Sequence, residues 1–482
     1  MPQPTVEGTA VLAKREHPRV QHVFPADNWY FWLKAAEDKP DEIIADLEDA
    51  VATPRKELAR DIFIAVLKLF QGDSPSETEM AALRQANSPV GRGPHLPVFI
   101  AKLKAVKSLP LTAVEQAVLQ EAEESPDKKL QALLAQVGRC HSLEGIIVTL
   151  RINNLHTKWS AGDLFHVVRA VGDRLDRILL PKVEGPEDMI LLHRILTTIE
   201  AEKGWAPDGI KTQALIELPS AVRQLDAICR STCRMVSNIF GLVDWTAATG
   251  GRDQDHQGSY PLYARCRTIE ASAVVGLESI DGITPSLQRH RTFVDAGKAA
   301  RLGFTAKWSV NPNNLAGLQD YLEGRRPNRR DPRGKPTPIA PGVFAEVGSR
   351  AASAPAHPPF PLEELERYAQ DKRPLLPPRV LELRDVIVRR SVVPVSAARP
   401  SEVAAALASS ADEVLVDLSP ISHRETGAVR KALLEHLDAM PAGKTLLSLQ
   451  ADPEDPMSWE AFEGVVAALG SRVGACVLPD VK

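Results

Sequence analysis

GIIVTLRINNLHTKWSAGDLFHVVRAVGDRLDRILLPKVE, residues 145–184, is the stretch on which the fold turns. A β-branched run (145–153) ends in Arg151 and two asparagines, and an amphipathic stretch follows. A second apolar run (177–184) then ends in Lys182 and Glu184. Strand, helix, strand is the βαβ unit of a parallel sheet. Working outward, QHVFP (21–25), EIIADLE (42–48), TQALIEL (212–218), SNIFGLVD (237–244), ESIDGIT (278–284) and TAKWSVN (305–311) keep the same rhythm. Helical stretches such as PEDMILLHRILTTIEAEKG and TFVDAGKAARLG lie between them. Eight strands separated by helices predict an α/β fold, a (βα)8 TIM barrel over residues 17–322. An open doubly wound sheet is the alternative, but no Gly-rich phosphate loop follows any strand.

Composition narrows the function classes. The 482 residues carry a net charge of −4, with 44% apolar and 25% charged residues, which gives no footing for a nucleic-acid partner. Five cysteines (Cys140, Cys229, Cys233, Cys266, Cys476) are an odd number thinly spread, a pattern of a reducing cytoplasm rather than a disulfide framework. Cys229 and Cys233 stand one helical turn apart. Without a second His or Cys pair at matching spacing, helix packing is the plainer reading than a shared metal. The start of the chain lacks a signal-like apolar core, and no apolar run approaches the ~20 residues of a membrane span. A cytoplasmic protein with no membrane partner is the expectation.

Three segments break the rhythm. Residues 70–142 are Pro-interrupted and helical in pattern, an insertion expected to lie outside the βα ring, so that its removal leaves a foldable barrel. PHLPVFIAKL (94–103) is the one part that could form a strand instead. Residues 323–387 are Pro- and Arg-rich, a linker that contains PLEELERYAQDKRP (361–374), a faint candidate for a lid. The tail, 388–482, repeats the start. VVPVSAARPSEVAAALASSADEVLVDL echoes HVFPADNWYFWLKAAEDKPDEIIADL, and the Trp459-to-Pro479 stretch echoes Trp159 to Pro181. It reads as a degenerate half-barrel repeat. Leu-Ser-Pro (418–420) stands where the first copy has Leu-Glu-Asp (47–49), SLQAD (448–452) lacks an equivalent of Arg151, and Asp480 replaces Lys182. Such a half-barrel should bind no metal and serve as a covered, oligomer-forming scaffold.

Chemistry in a (βα)8 barrel gathers where the strands end at their C-terminal side. Reading those ends gives Asp46, Glu48 and Asp49 after strand two, Arg151 after strand three, and Lys182 and Glu184 after strand four. Glu217 follows strand five and Asp244 follows strand six. Any one of them alone is a solvated strand end. Together they form one acidic mouth with an arginine. Carboxylates from neighbouring strands with open positions suit Mg²⁺, and the absence of His from the set argues against zinc or iron.

These stretches resemble the HpcH/HpaI aldolase and citrate lyase beta superfamily, within it the branch of citrate lyase beta, malyl-CoA lyase and citramalyl-CoA lyase. The likeness is carried by DEIIADLEDAVATPRKELAR (41–60), VTLRINNLHTKW (148–159), RILLPKVEGPEDM (177–189) and ALIELPSAV (214–222). NIFGLVDWTAATGG (238–251) and ARLGFTAKWSVNPNNL (300–315) complete it. DLEDAV followed by Lys and Ala-Arg is the most specific of these. The resemblance implies a Mg²⁺-dependent (or Mn²⁺-dependent) carbon–carbon lyase. Such an enzyme cleaves a β-hydroxyacyl-CoA thioester of malyl, citramalyl or citryl type to a 2-oxo acid and an acyl thioester, and acts as a homo-oligomer. It places the metal on Glu217 and Asp244 and the substrate on Arg151, with Lys182 and Glu184 beside it. Asp46, Glu48 and Asp49 line the catalytic site. A malate- or citramalate-synthase-type thioesterase and a non-catalytic regulatory paralogue are the alternatives. The family's Ile-His-Pro near strand eight reads Val-Asn-Pro here, with Asn311 in the histidine's place.

Overall fold

The structure, a computed structural model, describes residues 14–87, 95–251, 261–328, 335, 337–349 and 357–376, with the strand backbones at 392–396, 413–417, 446–450 and 473–477. The chain divides into two units, 1–378 and 379–482. In the first unit eight parallel strands close into a barrel in sequence order. They are β1 (Val20–Pro25), β2 (Glu42–Asp46), β3 (Ile147–Arg151), β4 (Arg177–Leu180), β5 (Lys211–Ile216), β6 (Met235–Phe240), β7 (Glu278–Asp281) and β8 (Ala306–Ser309). The ring is completed where Val20 pairs with Lys307.

Around this ring run α1 (Trp29–Asp38), α2 (Lys56–Gln71), four insertion helices α3 to α6, and a helix between β3 and β4. That last helix starts as α7 (Ser160–Gly162), passes through a π-helical turn at Asp163–Val168 and ends as α8 (Arg169–Val171). Then come α9 (Pro186–Lys203), α10 (Pro219–Arg223), α11 (Leu225–Cys229), α12 (Leu242–Thr249), α13 (Leu262–Val275), α14 (Arg289–Leu302) and α15 (Pro312–Glu323). The strands are buried at nearly every position on both faces, their apolar residues interleaved with polar ones such as Gln21, Glu42, Arg177 and Lys307 that are paired inside the barrel. Val23, Ile44, Leu179, Leu215, Ile239, Ile280, Ala306 and Trp308 plug the lumen, and a larger cluster fills the space between strands and helices.

The insertion holds α3 (Glu77–Leu83), α4 (Leu96–Val106), α5 (Ala113–Glu124) and α6 (Lys128–Arg139). Local signals write two of these starts. Ser76 with Glu79, and Thr112 with Glu115, form reciprocal capping boxes. The LPVFIAKL run is helical, with Pro97 in the first turn where its missing N–H costs nothing. The expectation that the barrel would stand without this insertion is not supported by the packing. Phe99, fully buried, stacks on Trp29 of α1 with ring centroids 4.7 Å apart and also meets Phe70 of α2. The insertion lies outside the ring of strands but shares its outer core.

After α15 a short antiparallel pair, β9 (Arg325–Arg326) and β10 (Thr337–Pro338), leads to residues 357–376, which form a strap. The candidate lid is part of that strap and does not close the mouth. Its helix α16 (Leu362–Gln370) clads the flank beside α7 and α9, with Leu365 fully buried. The strap is tied down by Arg194 Nε donating to the Pro358 carbonyl, by a Thr198 hydroxyl bond to the Phe360 carbonyl, and by Leu376 N donating to Leu155 O. No helix among the described residues is long and apolar enough to cross a membrane.

The second unit carries one four-stranded parallel sheet in the order β11 (Val392–Ser396), β12 (Glu413–Asp417), β13 (Leu446–Gln450), β14 (Val473–Val477). Its pairing repeats that of the barrel. Val392 pairs with Glu413 as Gln21 pairs with Glu42, the same step of 21 residues, and Asp417 meets Gln450 as Asp46 meets Arg151. Gln450 therefore holds the register position of Arg151. The Leu-Ser-Pro segment (418–420) and Asp480 lie outside the described residues.

Candidate functional site

Strand ends put the charged residues where the sequence places them, with corrections of detail. The second strand stops at Asp46, so Glu48 and Asp49 sit in the loop beyond it. The sixth stops at Phe240, so Asp244 lies in the first turn of α12 rather than at a strand end. Glu217 directly follows β5. Asp46, Asp49, Arg151, Glu217 and Asp244 line one cavity of about 540 Å³ at the C-terminal mouth of the barrel. Glu48 and Lys182 are not among the lining residues but adjoin the cavity through Arg151 and Asp49, whereas Glu184 stands apart. Its carboxylate lies 3.8 Å from the His156 ring, it does not line the cavity, and its backbone N–H donates to Asp188.

Asp46 is wholly buried and spent on structure. It takes Arg151 Nε and Nη2 in a bidentate pair at 2.6 Å each, and it accepts from the backbone N–H of Glu48 and Ala50. That fork fixes the guanidinium plane and leaves Nη1 outside the pair. Arg151 Nη2 also stands 3.4 Å from Glu48 and 3.7 Å from Asp49. Lys182 bridges the acids from the other side. Its Nζ lies 2.6 Å from Glu48 and 3.2 Å from Asp49, while its backbone N–H donates to Glu217 Oε1 at 2.7 Å. To do both, Lys182 adopts the left-handed region, with φ of 50°.

Electrostatics follow from that crowding. Burial, then the charges of Glu48 and Asp244, lift Glu217 well above the ordinary carboxylate range. Burial likewise pushes Glu48 up to about 7 against the pull of Arg151 and Lys182. Asp49 is half-buried, and although burial opposes it, Arg151 and Lys182 hold it below its usual value. Glu48 Oε2 is buried with no hydrogen-bond donor. A site of oxygen donors only, with a buried carboxylate atom unsatisfied and Glu217 facing the charge of Asp244, is short of positive charge. A hard divalent cation fits that donor set.

The opposite wall is apolar. Phe31, Ile283, Trp308 and Val310 line it, and the strand-end reading passed over them because it sought charge. Trp308 belongs to the ARLGFTAKWSVNPNNL stretch, and its indole N–H donates to Gln21. Asn311 caps α15 by accepting from the backbone N–H of Asn313 and Asn314, so the position where a histidine is usual is given to a helix start.

Outside the mouth, Cys229 and Cys233 do not share a ligand. Cys229 accepts from Asn238 Nδ2, and Cys233 donates to Asp208. Cys233, Asp208 and His193 do cluster. Arg234 already occupies that group, donating to His193 Nδ1 and standing 3.2 Å from Asp208, so the cluster has its cation.

The chain is similar to several known proteins. The model of the HpcH/HpaI aldolase/citrate lyase family matches residues 112–312. An L-malyl-CoA/beta-methylmalyl-CoA lyase of Cereibacter sphaeroides is 26% identical over 211 residues, 40% of this chain and 66% of that protein. The citrate lyase subunit beta of Haemophilus influenzae is 26% identical over 206 residues, 42% of this chain and 69% of that protein. The aligned stretch thus spans about two-thirds of these relatives' length. Among solved structures, the citrate lyase beta subunit of M. tuberculosis complexed with oxaloacetate and magnesium is 19% identical, covering 63% of this chain and 96% of that one with a TM-score of 0.39. The matched residues hold β3 to β8 and, with them, Arg151, Lys182, Glu217 and Asp244. Through that stretch, the barrel of this chain is similar to the HpcH/HpaI aldolase/citrate lyase family.

Proposed function

We propose that the barrel is a Mg²⁺-dependent carbon–carbon lyase acting on a β-hydroxyacyl-CoA thioester, releasing a 2-oxo acid and an acyl thioester. The observation that carries this is the convergence of Glu217, Asp244 and Arg151 on one cavity, where Arg151 and Lys182 are engaged by Asp46, Glu48 and Asp49 while Glu217 faces the like charge of Asp244. The relatives' names, malyl-CoA lyase and citrate lyase beta, point the same way. Glu217 and Asp244 would hold the metal, which when bound supplies Lewis-acid polarisation of the 2-oxo acid's carbonyl.

The rest is the work of the chain's own side chains. Arg151, locked by Asp46, offers Nη1 to the oxygen that changes between hydroxyl and ketone, a preorganised donor that needs no reorientation during reaction. Cleavage requires that hydroxyl to lose its proton. Glu48, pushed up to about 7, is the carboxyl at this mouth matched to taking it near neutrality. As the C–C bond breaks, its electron pair passes to the α-carbon of the departing thioester, and that enolate is quenched by the proton Glu48 has taken, which returns Glu48 to its carboxylate form. The apolar wall shields the reacting carbons from water.

The decisive measurement is Mg²⁺-dependent release of glyoxylate, pyruvate or oxaloacetate from malyl-, citramalyl- and citryl-CoA. Chelation should stop it and Mn²⁺ should restore it. Absence of release from all three thioesters would defeat the proposal. A second check comes from Gly241, where an added Cβ would lie 2.7 Å from Glu217 Cβ and 2.8 Å from its Oε2. Gly241→Ala must therefore push Glu217 aside, and kcat/KM should fall on the order of 100-fold with the fold intact. Wild-type kinetics in that variant would show that the position of Glu217 does not matter.

A further inference from the structure

The stretch DLEDAVATPRKELAR contains three cations that the chemistry above does not use, and two of them, Lys56 and Arg60, turn inward. Both are buried, and they stand one helical turn apart at the start of α2. Lys56 spends its ammonium entirely on neutral oxygens. Nζ donates to the Leu47 carbonyl at 3.0 Å, to the Glu48 carbonyl at 2.7 Å and to Asn153 Oδ1 at 2.5 Å. Asn153 in turn donates from Nδ2 to the same Leu47 carbonyl at 3.0 Å. Behind them Asp163, fully buried at the start of the π-helical turn, accepts from Asn153 N and Nδ2 and from Arg60 Nε at 2.8 Å. Arg60 Nη2 closes the set on the Trp159 carbonyl, and a Cβ at Gly162 would strike its guanidinium at 2.5 Å.

Around the loop 47–49 the pattern is complete. Asp46 holds the N–H groups of Glu48 and Ala50, while Lys56 and Asn153 hold the carbonyls of Leu47 and Glu48. We infer that Lys56 is a positioning residue: with Asn153, Asp163 and Arg60 it forms a buried strut that fixes the backbone from which Glu48 and Asp49 reach the mouth. A charge buried against neutral acceptors is a costly way to fill space, and an apolar side chain of similar length would pack more cheaply. What the ammonium provides and a methionine cannot is three directed donors. Misplacing a catalytic side chain by about 1 Å costs on the order of 100-fold in rate, so a strut of this kind has a kinetic reason to exist.

The catalytic half of this inference rests on the lyase reading, and the structural half does not. The test uses the full chain with Lys56→Met, Lys56→Gln and Asn153→Ala. Amide hydrogen exchange of Glu48 and Ala50 is followed, together with Mg²⁺-dependent thioester cleavage. In Lys56→Met, exchange at Glu48 and Ala50 should speed at least about tenfold while the apparent melting temperature moves little. In the same variant kcat should drop on the order of 100-fold with KM within about threefold of wild type. Lys56→Gln, which keeps two donors, should fall between Met and wild type in both readouts. A space-filling role would instead make Met the better replacement. Unchanged exchange in both Lys56→Met and Asn153→Ala overturns the strut, and faster exchange with kcat undiminished overturns its role in positioning Glu48 and Asp49. If Lys56→Met does not fold, the Gln and Asn153→Ala variants decide. If the wild type cleaves no thioester, the lyase reading falls while the exchange data still judge the strut.

Discussion

Glu217→Gln is expected to leave a folded protein without catalysis. The exchange removes one negative charge and keeps the shape. The Lys182 backbone N–H, 2.7 Å from Glu217 Oε1, still finds an acceptor in the amide oxygen. Because Glu217 is buried among other acids and its carboxyl is lifted well above the usual range, neutralising it should not lower stability and can raise it. Function should respond in the opposite sense. If the carboxylate is half of the metal's protein anchorage, its loss forfeits several kcal/mol of charge stabilisation in the transition state, which is a rate loss of about a thousandfold or more. Two measurements separate the effects: calorimetric titration with Mg²⁺, where binding should disappear, and thermal unfolding, where the midpoint should hold or climb. A large fall in the midpoint would mark Glu217 as a structural residue. Retained Mg²⁺ binding would move the metal elsewhere.

Excising residues 73–141 and joining α2 to β3 should abolish cooperative folding. Leu83, Phe99, Ile100, Leu103 and Val137 of the insertion are all buried and share one hydrophobic cluster with Trp29 and Phe70 of the barrel's own helices, which Phe99 meets directly. Each such side chain contributes roughly 1.5–3 kcal/mol by burial. Five of them together rival the whole net stability of about 5–15 kcal/mol that a domain possesses. The shortened chain should therefore bind a hydrophobic dye and lose its near-ultraviolet dichroism. A sharp unfolding transition close to that of the full protein would show that the insertion is cladding only.

The barrel was legible because parallel strands buried on both faces leave short runs rich in apolar and β-branched residues, and those of β2 to β6 run out into charged residues. All eight appear in the sequence within a few residues of their observed limits. Their C-terminal ends were the weak point. Leu242 and Val243 continue the apolar pattern of SNIF, yet the strand stops at Phe240 and Leu242 already begins the helix that carries Asp244. Periodicity cannot register such a change within three residues. The insertion's helices were readable from their caps, but not its share in the core, since nothing local to Phe99 says that Trp29 is its neighbour. The same holds for the strut. Lys56, Asn153 and Asp163 each look like solvated polar residues until the fold brings together positions as much as 106 residues apart. Glu184 misled for the opposite reason: it follows a strand, as the site residues do, but the backbone turn through Lys182 sends it toward His156.

That turn also limits how this mouth can be altered by selection. A side chain in the left-handed region carries a penalty of about 1–3 kcal/mol, heaviest for β-branched residues and least for glycine and asparagine. Position 182 is thus open to a narrow alphabet. Asparagine or glycine would preserve the backbone N–H that Glu217 depends on while deleting the ammonium that binds Glu48 and Asp49. Valine, isoleucine or threonine would distort both contacts at once. A lineage or a laboratory library searching for a new substrate at this barrel would accordingly find its accessible single steps at 182 among residues that loosen the acidic loop but spare Glu217. The loop between β2 and α2 would diversify sooner than the carboxylate after β5.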